Sequence, residues 1–575
     1  MQYSADIQKL PRHFLPANFT ITDWPGLEPF FKELLDRPIA SKAGLEQWLR
    51  DISELEAVIS EDACWRQIRM TCDTENKQLE EAFQYFVMEI QPHIQPLMDA
   101  LNRKLADSPW LAELEAEEPA YKTYLRTVRK NIDIFREENI PLHSELSLLQ
   151  QQYGQVTGRM TVEHKGQEYT MQQAAKFLLS KDREEREAVY RKMQERRLQD
   201  KETLDGLYTK LINLRQQVAV NAGFENYRDY KFKELGRFDY TREDCYRFHE
   251  GVKQYVVPLV NAIYTHKREA LGLETLRPWD LDAEPVGIEP LKPFATGEEL
   301  LQKSIACLEK LNPFFAGCFR TMRQMGHFDL ESRKGKAPGG YNCPLAESGA
   351  PFIFMNAAGQ MDDVTTMVHE GGHAVHSFLA HNLALSAFKE YPMEIAEVAS
   401  MAMELFTMDH WDVFFDNEEE LKRAKIHQLE RAITIFPWIA TIDKFQHWVY
   451  ENPTHTPEER MQAWMGLLEE FKVEALDTSG LENYRQYGWQ RQLHLFEVPF
   501  YYIEYGIAQL GAIGLWMQYR QNPQQAIDNY INALSLGGTR TLPELYKTAG
   551  LRFDFSPGHI RELAAFVHDE MNRLK

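Results

Sequence analysis

The sequence contains no run of about 18 apolar residues, the length that a helix needs to cross the hydrocarbon core of a bilayer. Its first residues, MQYSADIQKLPRHFLP, also lack the basic start and the continuous apolar core of a signal peptide. These absences predict that the chain has no membrane partner. We expect a soluble protein that stays in the cytoplasm.

Positive charge is scarce, because 64 Lys and Arg side chains stand against 86 Asp and Glu side chains, for a formal net charge of -22. An excess of negative charge repels phosphate backbones and anionic surfaces. The chain also lacks a basic stripe of the kind that binds nucleic acid. We therefore expect no nucleic-acid partner, and no obligate protein partner is evident.

Cysteines are few, and no C-x-x-C pair occurs among them. A disulfide framework or a cysteine-only zinc site is therefore not indicated. We expect free, buried thiols at all six positions, which are Cys64, Cys72, Cys245, Cys307, Cys318 and Cys343.

The chain has 575 residues, of which 44% are apolar and 26% are charged. This composition is typical of a large, well-packed globular protein. From about residue 25 to 270 the apolar residues recur at three- and four-residue steps, as in LEQWLRDISELEAVI. This pattern predicts a mainly α fold. We place an N-terminal helical lobe at residues 1–190 and a second region at residues 191–575.

Strand signals are short and few. In MTVEHKGQEYTM, two short alternating runs flank Lys165-Gly166, which predicts a small hairpin. The proline-rich run at 274–297 has little periodicity and is expected to be irregular. The apolar run Phe352-Ile353-Phe354-Met355 predicts one short strand just before the helix that is richest in chemical groups.

That helix is predicted for DDVTTMVHEGGHAVHSFLAH, with Asp362 or Asp363 as its N-cap. His369 and His373 are four residues apart, so both imidazoles lie on one face and can share one zinc ion. Glu370 lies between them in sequence and can reach a water on that metal. This is the HExxH pattern of zinc peptidases.

The alternative for these histidines is an ordinary place in the core, and two neighbouring glycines argue against it. Gly371 and Gly372 each cost about 1 kcal/mol relative to alanine inside a helix. A site that needs close backbone approach, or open space beside a metal, gains from them. The metzincin class is excluded because Leu379 stands where its third histidine would be, and His376 is assigned to the core or to a supporting role.

A third ligand must come from another segment, because a catalytic zinc usually has three protein ligands and one water. The almost wholly apolar run PMEIAEVASMAMELF carries three carboxylates, Glu394, Glu397 and Glu404. Glu397 and Glu404 are seven apart and share a helix face, so one can bind the metal while the other orients a ligand histidine. An ordinary solvated carboxylate at Glu404 fits equally well, and spacing leaves the choice among the three open.

The segments HEGGHAVHS and AEVASMAMEL together resemble the thimet oligopeptidase family, and especially its oligoendopeptidase F branch. Further matching pieces in the last 240 or so residues are GGYNCPL, PFIFMN and HLFEVPFYYIEYG. The resemblance implies one Zn2+ ion held by His369, His373 and Glu397. It implies Glu370 as general base, and it makes residues 191–575 the catalytic region.

The resemblance also places His494, Tyr502 and Tyr505 near the reacting carbonyl. Independently of it, Pro499 can open a helix on which both tyrosines share a face, with His494 on the preceding loop, so that the three converge on a developing oxyanion. For the fold, the resemblance implies two helical lobes enclosing a deep substrate channel, with zinc on its floor. The implied function is a zinc metalloendopeptidase that cuts internal bonds of short, unfolded oligopeptides.

Three rival functions remain at this point: a zinc carboxypeptidase of related helical fold, a non-catalytic peptide-binding protein with a structural zinc, and a nucleic-acid-associated metalloprotein, which the negative charge disfavours. We expect the strand at Phe352, Ile353, Phe354 and Met355 to pair with an extended peptide substrate. An interior strand without a free edge is the alternative. The chain departs from the family where Gly371 replaces a bulky apolar residue, and its first 190 residues resemble the family only in being helical.

Overall fold

The computed structural model describes residues 4–7, 9, 11–333, 335–337 and 339–574. Helices account for 70% of the chain and the sheets are small, which confirms the predicted mainly α class. Within these described ranges, no helix is both long enough and apolar enough to cross a membrane.

The helices lie along most of the chain, and the strands occupy two short stretches. Up to residue 270 the α-helices are α1 (Trp24–Asp36), α2 (Lys42–Cys72), α3 (Lys77–Tyr85), α4 (Gln91–Ala106), α5 (Leu111–Glu117), α6 (Pro119–Ile134), α7 (Ile140–Gly158), α8 (Met171–Ala175), α9 (Arg183–Gln199), α10 (Lys201–Asn221), α11 (Tyr227–Glu234), α12 (Arg242–Gly251) and α13 (Val257–Ala270). Beyond it they are α14 (Gly297–Leu311), α15 (Pro313–Met325), α16 (Met361–Ala380), α17 (Ser386–Lys389), α18 (Met393–Thr407), α19 (Glu418–Thr434), α20 (Phe436–Glu451), α21 (Pro457–Glu470), α22 (Glu482–Arg485), α23 (Leu493–Glu497), α24 (Tyr502–Gln521), α25 (Pro523–Leu534), α26 (Leu542–Thr548) and α27 (Pro557–Leu574). The strands are β1 (Thr161–His164), β2 (Gln167–Thr170), β3 (Phe328–Glu331), β4 (Tyr341–Cys343) and β5 (Phe352–Ala357).

The chain forms two compact units, each assembled from three separate segments. Unit 1 comprises Met1–Glu137, Lys292–Lys425 and Ala508–Phe553. Unit 2 comprises Glu138–Leu291, Ile426–Ile507 and Asp554–Lys575. The segments alternate along the sequence, so the division at residue 190 stays a prediction about domains rather than a description of these units.

The predicted hairpin is confirmed in unit 2. Strands β1 and β2 pair antiparallel, from Thr161 opposite Thr170 to His164 opposite Gln167. The two turn residues, Lys165 and Gly166, have φ angles of 50° and 75°. Positive φ at both central residues is the geometry of the two-residue turn whose twist matches that of the strands.

The second sheet belongs to unit 1 and has the strand order β3-β5-β4. Strand β5 pairs parallel with β3 and antiparallel with β4. Both of its edges are therefore occupied, and the side chains of residues 352–355 are buried. The strand was predicted correctly, but the expectation that Phe352, Ile353, Phe354 and Met355 pair with a substrate is wrong, because no edge of β5 is free.

Local capping interactions set the starts of two helices that sequence analysis had assigned. In α16 the Asp363 carboxylate accepts from the backbone N–H of Gln360 at 2.8 Å, so Asp363 closes a capping box from inside the helix. The N-cap is Gln360 rather than Asp362 or Asp363. At α21, Thr456 and Glu459 form the predicted capping box.

Helices α16 and α18 of unit 1 pack closely, and Gly372 on α16 makes this contact possible. A Cβ atom added to Gly372 would lie 2.4 Å from the carbonyl oxygen of Ala399 and 2.5 Å from the Cα of Ser400. A Cβ on Gly371 would lie 2.8 Å from the ring of Phe319. Gly372 thus permits the close approach of the α18 backbone, and Gly371 leaves room for the ring of Phe319 on α15.

All six cysteines are free, as predicted. Four of them are buried, and Cys64 and Cys72 are partly exposed. The run at 274–297 is irregular as expected, apart from a single 3-10 turn at Pro278–Asp280, and α14 begins at its end.

Candidate metal centre and active site

Three ligand-type side chains come together where α16 and α18 pack in unit 1. The ligand atoms of His369, His373 and Glu397 all lie within 4.8 Å of one another. Glu397 Oε2 is 3.4 Å from His369 Nε2 and 3.7 Å from His373 Nε2. The i, i+4 spacing on α16 stacks the two imidazoles, and the close approach of α18 brings the carboxylate against them.

These donors fit a tetrahedral zinc site. Metal–nitrogen and metal–oxygen bonds of about 2.0–2.1 Å require neighbouring ligand atoms about 3.3 Å apart. The observed separations of 3.4 and 3.7 Å are close to that value. Two imidazoles and one carboxylate are also the ligand set of a catalytic zinc, which leaves a coordination position for water.

Two further residues orient the ligands. Glu404 Oε1 lies 2.7 Å from His369 Nδ1 and accepts its N–H, which leaves Nε2 of the same ring available to a metal. The hydroxyl of Ser400 donates to Glu397 Oε2 at 3.1 Å. Sequence analysis proposed the role of Glu404 but missed Ser400. Its position one turn after Glu397 was the available signal, since a buried carboxylate needs a donor.

Glu394, the remaining carboxylate that spacing left open, is buried on α18 and is not a member of this cluster. His376 is fully buried and stacks on Tyr391 with ring centroids 3.4 Å apart. It therefore belongs to the core, which is one of its two expected places.

Electrostatics distinguishes the two ligand histidines. Burial lowers the pKa of His373 to about 4, so its imidazole is neutral at physiological pH, as a metal ligand must be. Burial also opposes the charged form of His369, but hydrogen bonding to Glu397 and Glu404 outweighs it and raises the pKa of His369 well above its ordinary value. The two carboxylates that face the His369 ring produce a negative potential, which favours a positive charge such as a bound metal ion.

Glu370 is buried beside the cluster, with 8% of its surface exposed. Burial, assisted by the charges of Glu397 and Glu404, raises the pKa of its carboxyl to about 7 in the absence of a metal. A pKa in this range suits a group that must both accept and return a proton near neutral pH. Its backbone carbonyl accepts from Asn342 Nδ2 at 3.2 Å, which ties β4 to α16.

The other predicted catalytic residues form a separate group in unit 2. The ring centroid of His494 lies 4.8 Å from that of Tyr502 and 5.7 Å from that of Tyr505. The two tyrosine rings are 5.5 Å apart in an edge-to-face arrangement. Burial raises the pKa of Tyr502 to about 12, so its phenol carries its proton at neutral pH and can donate a hydrogen bond.

A short chain of hydrogen bonds selects one tautomer of the neutral His494 ring. The indole N–H of Trp438 can only donate, and it meets Oε1 of Gln492 at 2.9 Å. This contact fixes the orientation of the Gln492 side-chain amide, whose NH2 group then lies 2.6 Å from His494 Nδ1. Nδ1 of the neutral ring must then be the acceptor, which places the ring proton on Nε2. Sequence analysis missed Gln492, two residues before His494.

The segment before the tyrosines differs from its predicted form. Helix α24 begins at Tyr502, not at Pro499, because Phe500 has a φ angle of 66° that no helix can contain. Its N–H donates to Gln446 and its carbonyl accepts from Arg237, so buried partners hold this strained residue on both sides. His494 lies on the short helix α23 rather than on a loop.

Comparisons with known proteins identify the family of the chain. The model of Peptidase family M3 matches residues 177–565, and that of the Peptidase M3 N-terminal domain matches residues 14–135. The match thus extends well before the last 240 residues, where the sequence motifs lie.

Individual relatives share only about a quarter of their aligned residues with this chain. The chain is 25% identical to oligopeptidase PepF of Bacillus subtilis (strain 168) over 56% of its own length and 47% of that protein's. It is 24% identical to an oligoendopeptidase F homolog of Borreliella burgdorferi over 49% of its own length and 48% of that protein's. The aligned part thus spans about half the length of these curated relatives.

A solved structure of PZ peptidase A with an inhibitor shares the fold with a TM-score of 0.90 at 27% identity, over 98% of this chain and 99% of that one. The agreement covers nearly the whole chain, although the sequences have diverged. On the match of the family model over most of its length, the chain belongs to Peptidase family M3, and its relatives confirm the predicted oligoendopeptidase F branch.

Proposed function

We propose that this protein is a zinc metalloendopeptidase that hydrolyses internal bonds of short, unfolded oligopeptides. The observation that carries the proposal is the convergence of His369, His373 and Glu397, with Glu404 accepting the free N–H of His369. This set of groups is the one a catalytic zinc requires, and Glu370 lies beside it as a buried base.

A zinc ion held by His369, His373 and Glu397 would supply Lewis-acid chemistry, polarising the scissile carbonyl and lowering the pKa of the attacking water. Glu370 takes the proton of that water and returns it to the leaving amine, so one carboxylate acts as base and then as acid. Its burial supports this role because removal from water raises the pKa of the carboxyl and so helps it to hold the proton between the two steps.

His494, Tyr502 and Tyr505 are proposed to stabilise the oxyanion. Tyr502 presents a protonated phenol, and His494 carries its proton on Nε2, so each can donate. One such donor is worth roughly 10²- to 10³-fold in rate. The edge-to-face packing of the two tyrosines with His494 keeps the three groups in fixed relative positions.

We propose that the peptide substrate pairs with β4, because both edges of β5 are occupied. Strand β4 is an edge strand of its sheet, and Asn342 on β4 bonds to the backbone of Glu370. A peptide added antiparallel or parallel to β4 would be held through its backbone beside the catalytic helix. Backbone pairing explains tolerance for many side chains.

The test uses a peptide of about ten residues that is blocked at the N-terminus, amidated at the C-terminus and internally quenched. An endopeptidase cuts it internally, loses activity to a chelator and regains it with Zn2+. A carboxypeptidase leaves it intact, because the terminal carboxylate is blocked. A non-catalytic binding protein retains the metal and cuts nothing, and this outcome would overturn the proposal.

The restriction to short peptides and the cytoplasmic location are parts of the proposal that rest on the family. Casein, cut at a rate comparable to that of a short peptide, would contradict the first. Detection of the protein outside the cytoplasm by fractionation would contradict the second.

A further inference from the structure

A second group of metal-ligand side chains lies in unit 2, outside the site described above. Cys245 and His249 are four residues apart on α12, and Asp443 and His447 are four apart on α20. The i, i+4 spacing places each pair on one face of its helix. The two helices pack against each other, so the two pairs meet.

The four side chains are almost completely removed from solvent, with exposures of 0–3%. Ligand atoms of Cys245, Asp443 and His447 all lie within 4.8 Å of one another. Asp443 Oδ2 is 3.3 Å from Nε2 of His447. This matches the spacing of about 3.3 Å between ligand atoms around a tetrahedral metal with bonds of about 2.0–2.1 Å.

The hydrogen bonding within this group is incomplete. Nδ1 of His447 and Oδ1 of Asp443 have no hydrogen-bond partner, and Nε2 of His447 lies 3.3 Å from Asp443 Oδ2 without good hydrogen-bond geometry. Buried polar atoms in native proteins are almost always paired, so atoms like these point to a ligand. His249 Nε2 lies 2.8 Å from Asp443 Oδ2 and holds the carboxylate in place, while Nδ1 of the same ring has no hydrogen-bond partner.

We propose that Cys245, Asp443 and His447 bind a divalent cation of the zinc type, with His249 positioning the aspartate. Zinc accepts thiolate, imidazole and carboxylate ligands together, and three protein ligands leave one position for water. A hydrogen bond from His249 to a ligating carboxylate is the kind of support that metal ligands usually have. This site is independent of the one proposed for peptide hydrolysis.

The surroundings of the group are compatible with a cation. A cavity of about 910 Å³ is lined by His447, Tyr246 and Lys444, so open space borders one of the proposed ligands. The nearby positive charges are paired elsewhere. Lys444 lies 2.8 Å from Glu470 and Arg237 lies 2.9 Å from Glu504.

Metal analysis can separate the two sites. The variant H369A/H373A, purified with Zn2+ and freed of excess metal, should retain one zinc per chain. Adding C245S to it should remove that zinc, whereas C318S, a change at an equally buried cysteine outside the group, should not. An H369A/H373A protein that holds no zinc when added Zn2+ is in excess would overturn the proposal and leave the peptidase site untouched.

Cobalt gives a second readout that needs no change in the cluster. With Co2+ as the added metal, folded H369A/H373A protein should show near-ultraviolet thiolate-to-cobalt charge-transfer absorption. The peptidase site contains no sulfur ligand and cannot produce this band. The band should persist in C318S and be absent from C245S or, if that variant is unfolded, from H447Q. Absence of the band in H369A/H373A would show that Cys245 is not a ligand and overturn the proposal.

Discussion

Replacing Gly372 by alanine should push α16 and α18 apart and weaken zinc binding without removing any ligand. The added Cβ would lie 2.4 Å from the carbonyl oxygen of Ala399 and 2.5 Å from the Cα of Ser400. Ordinary contacts between such atoms are about 3.5 Å, so a shift of about 1 Å is needed. Both obstacles are backbone atoms, and no side-chain rotation can relieve the clash.

Such overpacking costs about 1–3 kcal/mol. Ser400 is three residues after Glu397, so the shift moves the carboxylate relative to both histidines, and zinc sites tolerate only about 0.2 Å. Zinc affinity should fall by up to roughly 5- to 150-fold, which is reached when the full cost of about 1–3 kcal/mol opposes the metal-bound geometry. The assay is chelator competition for Zn2+, with the melting temperature of the metal-free protein measured in parallel.

The matched control is Gly206→Ala in α10, where an added Cβ meets nothing within 4 Å. That change should stabilise the protein by about 0.5–1 kcal/mol and leave zinc affinity unaltered. If Gly372→Ala behaved like the control, with zinc affinity and melting temperature equal to or above those of the wild type, the close approach of the two helices would not be what holds the site together.

Three other changes test single contacts. Glu404→Ala should lower zinc affinity about 10- to 100-fold, because His369 loses the acceptor that orients its ring, and equal affinity by chelator competition would refute this role. Gln492→Leu should lower kcat with little change in KM, because the tautomer of His494 is no longer fixed and Tyr502 loses a hydrogen-bond partner; an unchanged kcat would show that neither contact of Gln492 matters for turnover. Tyr505→Phe should lower kcat by roughly 10²- to 10³-fold with little effect on peptide affinity, and a change in KM alone would count against an oxyanion role.

Features that depend on local spacing were predictable from the sequence. The interval between His369 and His373 fixes their common face once the segment is helical, and the turn at Lys165-Gly166 has chemistry that suits one hairpin geometry. The position of Glu404 relative to Glu397 suggested an orienting role, which agrees with the bond from His369 to Glu404.

Features that depend on contacts distant in sequence were not predictable. The sequence of β5 alone predicts a strand, but its central position in the sheet is set by pairing with β3 and β4. Because β5 is central, it has no free edge to which a peptide could bind. The φ angle of Phe500 is held by Gln446 and Arg237, which lie far away in the chain, so the true start of α24 had no local signal.

The group of Cys245, His249, Asp443 and His447 also depends on contacts that are distant in sequence. Its two i, i+4 pairs are nearly 200 residues apart, and each pair alone is an unremarkable feature of a helix. Only the packing of α12 against α20 reveals that they meet.

The central claim is tested most directly by Glu370→Gln, assayed on a blocked, quenched peptide and analysed for zinc on the same preparation. The neutral amide cannot take a proton from water, so internal cleavage should fall by roughly 10²- to 10⁴-fold while the zinc content stays equal to that of the wild type. A variant that keeps its zinc and cleaves at the wild-type rate would contradict the assignment of Glu370 as the base. A wild type that cleaves the peptide with no zinc bound would contradict the metal centre itself.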